Sequence, residues 1–188
     1  QYQPLIDPDG EIRLAMIHPG SFDDPIRISF VQGDSSSFSD NCWIPNPAYE
    51  TLSHAWGTDE DPSRVIVDME GDPFVVTTRN LDIALCHIRY TRDLRLIWID
   101  ALCIYQSSSH EKSRQVAAMG RVFSAAREVL IWLGPAQDAS DEALDLLNHI
   151  GSHINWNKTL PFRNGELAPV IDLFERRYWS RVWIRQEI

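Results

Sequence analysis

"LIWIDALCIYQ", residues Leu96–Gln106, decides how the rest of the chain is read. It opens on a continuous apolar run, which suits a strand buried on both faces by covering helices. The run stops on a carboxylate, Asp100, followed by a thiol, Cys103, and an amide, Gln106. Polar groups in that position lie where open α/β sheets bind ligands, at the carboxyl ends of their strands. The ordinary alternative for Asp100 is structural, since a carboxylate at a strand end often caps the next turn or helix.

Working outward, Leu81, Ala84, Leu85 and Ile88 recur at helical spacing within 80–90, with Thr77 or Thr78 available as cap. After the opening stretch, a helix is expected from about Glu111 to Ala126, with Val116, Met119, Phe123 and Ala126 as its buried stripe. A second near-continuous apolar strand, Val129–Leu133, ends at Gly134-Pro135. Helix, strand, helix, strand in that order, with buried strands, is the mark of a parallel sheet. The amino-terminal third reads as β-rich: Ile12–His18, Ile26–Gln32 and Tyr49–Trp56, then a hairpin of Arg64–Asp68 and Phe74–Thr77 about Glu70-Gly71-Asp72. "GDSSSFSDN" is a polar loop and the best candidate for disorder. Toward the end, Asp141–Ile150 reads as a helix capped by Ser140 and packed through Leu144 and Leu147. Ala168–Arg177 and Ser180–Ile188 read as helical, with a break near Tyr178-Trp179. No internal repeat or linker interrupts this order. The expected fold is α/β, one domain over 1–188 with a central, mostly parallel sheet flanked by helices and an added β hairpin near the amino end.

Composition narrows the function classes. At 188 residues the chain suits one domain able to bury roughly 70% of its unfolded surface. Lys plus Arg number 17 against 27 Asp plus Glu, a net charge of -10 that argues against a phosphate-tracking nucleic-acid surface. A local anion pocket remains open, because Arg176, Arg177, Arg181 and Arg185 cluster near the end. Cys42, Cys86 and Cys103 form no CxxC pair and leave one cysteine over in any disulfide scheme, so a reducing compartment is the simpler expectation. No stretch of about 18 apolar residues occurs and no basic, then apolar, leader opens the sequence, so a soluble protein is expected.

Several residues carry chemistry. Trp183 and Glu187, four apart, share a helical face and place an indole beside a carboxylate. A carboxylate stabilises the oxocarbenium-like cation formed when a glycosidic bond breaks, and an indole stacks on a ribose or base. The plain alternative is a core tryptophan and a solvated glutamate. Ser53, His54, Trp56 and Gly57 can shape a nucleotide site, with Gly57 letting the backbone approach a phosphate and Trp56 stacking a base or filling the core. Neither GxGxxG nor GxxxxGK[ST] occurs, so a standard dinucleotide or P-loop site has no support. Gln106, Glu111 and Gln115 make a polar set; Glu111 near a helix start is accounted for by the macrodipole alone. Cys103 with His54 or His110 would allow thiolate catalysis, but no nucleophile signature surrounds it and such a thiol is most often buried. His149 and His153, at i,i+4, lack a third metal ligand at a known spacing.

Three blocks, "YETLSHAWG" at Tyr49–Gly57, Leu96–Gly134, and "RRYWSRVWIRQE" at Arg176–Glu187, resemble the fungal heterokaryon-incompatibility (HET) domain in motif, order and spacing. The resemblance runs from about Ile12 to the end. It departs from the usual pattern at Tyr105, where the family has Asn, and at Ser107, where an acidic residue is usual. It implies an intracellular, cytoplasmic module of cell death in non-self recognition, commonly followed by further sequence, so a fragment of a longer protein is expected. The same blocks are distantly similar to Toll/interleukin-receptor (TIR) domains that cleave NAD with a Glu on a Trp-containing helix. That likeness implies a TIR-like fold and an NAD(P) glycohydrolase with Glu187 as catalytic residue. Ser53, His54, Trp56, Gly57, Asp100, Cys103, Gln106, Arg181 and Trp183 would bind the nucleotide. NAD would be a substrate, with no cofactor and no metal. Expected partners are further copies of the chain on activation and an upstream recognition protein, of NLR type or another, with no nucleic acid and no membrane. The rival expectation is a non-catalytic module that oligomerises and recruits partners.

Overall fold

The structure, a computed structural model, describes residues 4–34, 49–57, 61–68, 74–153 and 165–181. They divide into two compact units, residues 4–132 and Leu133–Arg181.

The first unit is built on seven strands: β1 (Glu11–Ile17), β2 (Arg27–Asp34), β3 (Glu50–His54), β4 (Pro62–Val67), β5 (Phe74–Thr78), β6 (Arg95–Trp98) and β7 (Glu128–Trp132). They form one mixed sheet in the order β5-β4-β2-β1-β6-β3-β7. β3 lies between β6 and β7 and runs parallel to both. That is the parallel set expected from the alternation of helices and strands. β1 joins it antiparallel to β6 and pairs antiparallel with β2 as a hairpin. β4 runs parallel to β2 and antiparallel to β5. The expected α/β architecture is therefore present, with the amino-terminal hairpin inserted into the sheet itself. Because β1 has neighbours on both sides, its run Ile12–Ala15 is buried throughout.

Three helices cover the sheet: α1 (Arg79–Ile88), the single turn α2 (Asp100–Cys103) and α3 (Ser109–Ala125). Thr78 caps α1, its hydroxyl accepting the Leu81 amide, and Leu81, Ala84 and Leu85 supply the buried stripe. Ser108 caps α3 and moves its start two residues ahead of the expected Glu111. The Tyr49 hydroxyl donates to the Val122 carbonyl of α3 at 2.6 Å, and Trp98 meets Phe123 edge-on at 5.5 Å. Trp132, in register with His54, reaches α1 on the opposite face. At the amino ends of the parallel strands the buried Glu50 carboxylate receives Arg95 at 2.5 Å and also Arg127, tying β3, β6 and the entry to β7 together.

The second unit comprises α4 (Ser140–His153), α5 (Ala168–Phe174) and a 3-10 turn, Arg177–Ser180. Ala143, Leu173 and Tyr178 are its buried apolar residues. The expected stripe on α4 is corrected here: Leu144 is 49% exposed, because the inward face runs through Ala143 and the partly buried Leu147 and Ile150. Arg176 gathers the carbonyls of Leu133, Pro135 and Gln137, so it is spent on folding its own unit and is not a free anion ligand. The 3-10 turn holds the expected break at Tyr178-Trp179. Cys42, the turn Glu70-Gly71-Asp72, residues 35–41 of the polar loop, and the closing segment with Trp183, Arg185 and Glu187 lie outside the described residues.

Candidate functional site

The carboxyl ends of β3 and β6 bring two of the residues singled out from sequence into direct contact. Trp56 Nε1 donates to Asp100 Oδ2 at 3.0 Å. The other Asp100 oxygen accepts the Ala101 amide at 2.8 Å and lies 3.9 Å from His54 Nδ1. Asp100 therefore opens α2, where the macrodipole favours a carboxylate, and also anchors the indole. Gln106 Nε2 donates to the Asp100 carbonyl at 2.9 Å and closes the turn, while its Oε1 is buried without a partner among the described residues. Trp56 remains 41% exposed, so its indole edge is fixed while much of its face is open.

Asn80, in the first turn of α1, organises the approach to this pair. Its Nδ2 donates to the Ala55 carbonyl at 2.5 Å and its Oδ1 accepts Trp132 Nε1 at 3.1 Å. One amide thus joins the loop after β3 to the last residue of β7. Gly57 has φ +84, and a Cβ there would come within 3.3 Å of the Asn80 Cβ. The glycine is required by backbone conformation and by this close approach. Its conformation belongs to the loop that presents Trp56.

Beneath the Asp100 turn lies a buried ion pair. Arg13 Nη1 donates to Glu111 Oε1 at 2.8 Å and to the Cys103 carbonyl at 2.7 Å, and Glu111 Oε1 also accepts the Tyr105 amide at 2.9 Å. Burial pushes the Glu111 carboxyl up, but the hydrogen bonds from Arg13 and Tyr105 and the charge of Arg13 outweigh it, leaving the group below its ordinary value. This contact at position 105 is made by the main-chain N–H, which any residue type but proline supplies. Gln115, fully buried one turn further along α3, donates to the Pro8 and Glu11 carbonyls, both at 2.8 Å. Glu111 is thus a structural partner of Arg13, beyond the macrodipole effect expected for it.

Other assignments are corrected by burial. Cys103 is 0% exposed, and its sulfur lies within 3.4 Å of the Ile99 amide nitrogen. Burial pushes its thiol up to about 12, so it is neither a nucleophile at neutral pH nor a residue facing a ligand. Ser53, 1% exposed, shares the α3 side of β3 with Tyr49 and presents no surface either. His54, also 1% exposed, lies beneath the rim with its Nδ1 3.9 Å from Asp100. Arg181 lies in the second unit, its guanidinium 5.8 Å from the Tyr178 ring centre. Trp183 and Glu187 lie outside the described residues, as does the spatial relation expected between Glu187 and Asp100. Among the described residues no group of three His, Cys, Asp or Glu could hold a metal ion, and no helix is long and apolar enough to cross a membrane. A cavity of about 340 Å³ in the first unit is lined by Phe22, Arg64, Arg79 and Cys86.

Residues 49–187 match the heterokaryon incompatibility protein (HET) family. Over 158 residues the chain is 35% identical to heterokaryon incompatibility protein 6, OR allele, of Neurospora crassa. That alignment covers 78% of this chain and 22% of the relative, so the chain spans about a fifth of the relative's length. No solved structure matches the chain.

Proposed function

The chain belongs to the heterokaryon incompatibility (HET) family, and from that premise we propose that it is a cell-death effector of non-self recognition that hydrolyses the nicotinamide glycosidic bond of NAD or a related nucleotide. The observation that carries this reading is the half-exposed Trp56 indole held by the Asp100 carboxylate at the carboxyl ends of parallel strands. A fixed aromatic face is a stacking surface for a base or ribose, and its rigidity lowers the ordering cost of binding. The adjacent carboxylate favours the cationic ribosyl group that develops as nicotinamide leaves. Glu187 is proposed as the residue that stabilises this cation or orients the ribose hydroxyls, with Trp183 as a further stacking contact.

Activity in an assembled state is part of the proposal. Among the described residues β5 ends the sheet, and Val76 on it is 60% exposed in an uncharged stretch, Phe74–Thr78. Such an edge is suited to pairing with another copy. The same observation favours the second reading, a recruitment module without catalysis. Incubating concentrated protein with NAD, with chromatography and light scattering in parallel, separates the two. Nicotinamide release that disappears in Glu187→Gln supports the hydrolase. Assembly without release, or equal NAD consumption by variant and parent, defeats it.

A further inference from the structure

Three aromatic rings stand in a row at the end of β7. The His87 ring lies 5.0 Å from Trp132 and 4.9 Å from Phe22, the latter edge to face. Phe22 is 54% exposed, His87 is exposed and Trp132 is half-buried. Each ring is also held. Trp132 Nε1 is committed to Asn80 Oδ1 at 3.1 Å. His87 Nδ1 lies 2.8 Å from the Ile83 carbonyl, which can only accept, so Nδ1 carries the proton and Nε2 is left as the ring's acceptor in the neutral form. The Arg89 guanidinium takes the carbonyls of Phe22 at 3.2 Å, Asp24 at 2.9 Å and Pro25 at 3.0 Å, which fixes the loop that presents Phe22. Exposed rings pinned in this way are a preorganised π surface, and stacking on such a surface tolerates many bases because every base has a π face.

Asn80 connects this row to the Trp56 loop, since the amide that accepts from Trp132 donates to Ala55. Strand register points the same way: Trp132 pairs with His54, the last residue of β3, and Trp56 follows two residues later in the loop. We infer that Phe22, His87 and Trp132 form a stacking subsite for a planar heteroaromatic ring bearing an N–H donor, adjoining the Asp100 rim. An exocyclic amine or carboxamide on the ring would donate to His87 Nε2, and the sugar would lie toward Trp56. The inference rests on the nucleotide reading of that rim and names the part of the ligand each aromatic group receives.

Equilibrium binding of AMP, nicotinamide mononucleotide and ribose 5-phosphate to the whole chain tests it. Both nucleotides should bind, and ribose 5-phosphate at least about tenfold more weakly. Trp132→Ala and His87→Ala should each weaken nucleotide binding by roughly 5- to 100-fold and leave ribose 5-phosphate unchanged. Trp132→Phe, which keeps a ring but loses the hydrogen bond to Asn80, should fall between the parent and Trp132→Ala. His87 is an exposed helix residue, so its variant remains informative if Trp132→Ala fails to fold. Unchanged nucleotide affinity in His87→Ala, or no binding of either nucleotide to the parent, overturns the subsite. Nucleotide binding that depends on the rings in a protein releasing no nicotinamide keeps the subsite and ends the hydrolase reading. Nicotinamide release that is unaffected by the ring variants, with affinity equally unaffected, ends the subsite alone.

Discussion

Trp56 Nε1 donates to Asp100 Oδ2 across 3.0 Å, joining residues 44 positions apart. This bond makes one rim out of the loop after β3 and the turn after β6, because no backbone ladder extends past the strand ends. Asp100 is thereby both the first residue of α2, with one oxygen accepting the Ala101 amide, and a group placed beside an open aromatic face.

Trp56→Phe removes the donor and keeps a ring. Loss of one part-buried hydrogen bond should lower stability by about 1 kcal/mol, read from urea unfolding. Nicotinamide release should fall far more than stability does, since the remaining ring is no longer pinned.

Gly57→Ala should be costlier for its size than an ordinary surface change. At φ +84, with Asn80 3.3 Å from the new Cβ, about 1–2 kcal/mol is expected from the left-handed backbone alone. The midpoint of thermal unfolding measures it, and near-ultraviolet circular dichroism should show the Trp56 environment changed.

Arg13→Met leaves the buried Glu111 carboxylate unpaired and should cost about 3–5 kcal/mol. The double variant Arg13→Met with Glu111→Leu should recover much of that loss, because no charge is then stranded. The pair also sets a pH dependence. The folded Glu111 carboxyl lies below its ordinary value of 4.5, so its contribution is fully present above that value and is lost as pH falls through the lower folded value. Stability measured between pH 6 and pH 3 should fall more steeply in the parent than in the double variant.

Cys103 should resist alkylation in the native protein. With its thiol raised to about 12 and its sulfur enclosed, iodoacetamide at pH 8 should leave it unmodified until denaturant is added, while the half-buried Cys86 reacts slowly. Peptide mass spectrometry distinguishes the two positions.

Much of this site was legible in the sequence, and its connections were not. The apolar run ending on Asp100 located a strand end, and "LSHAWG" supplied Trp56, yet their bond depends on β3 lying beside β6, which periodicity does not specify. Asn80 was missed because a polar residue in the first turn of an amphipathic helix has many ordinary reasons to be there. Its role appears only once β3 and β7 are neighbours. Arg13 left a signal that could have been used, as a charge inside the apolar run "IRLAMI" of a doubly flanked strand demands a buried partner, and Glu111 with Gln115 on one helical face offered it. The exposure of Leu144 shows the converse limit, where apolar spacing alone did not fix the inward face of α4.

The central claim, that the Asp100 and Trp56 rim serves NAD cleavage, is tested most directly by nicotinamide release from NAD in concentrated protein, parent against Asp100→Asn. The account predicts measurable release by the parent and a drop of at least about a hundredfold in the variant, with the variant still folded. Equal release by the two proteins would contradict it.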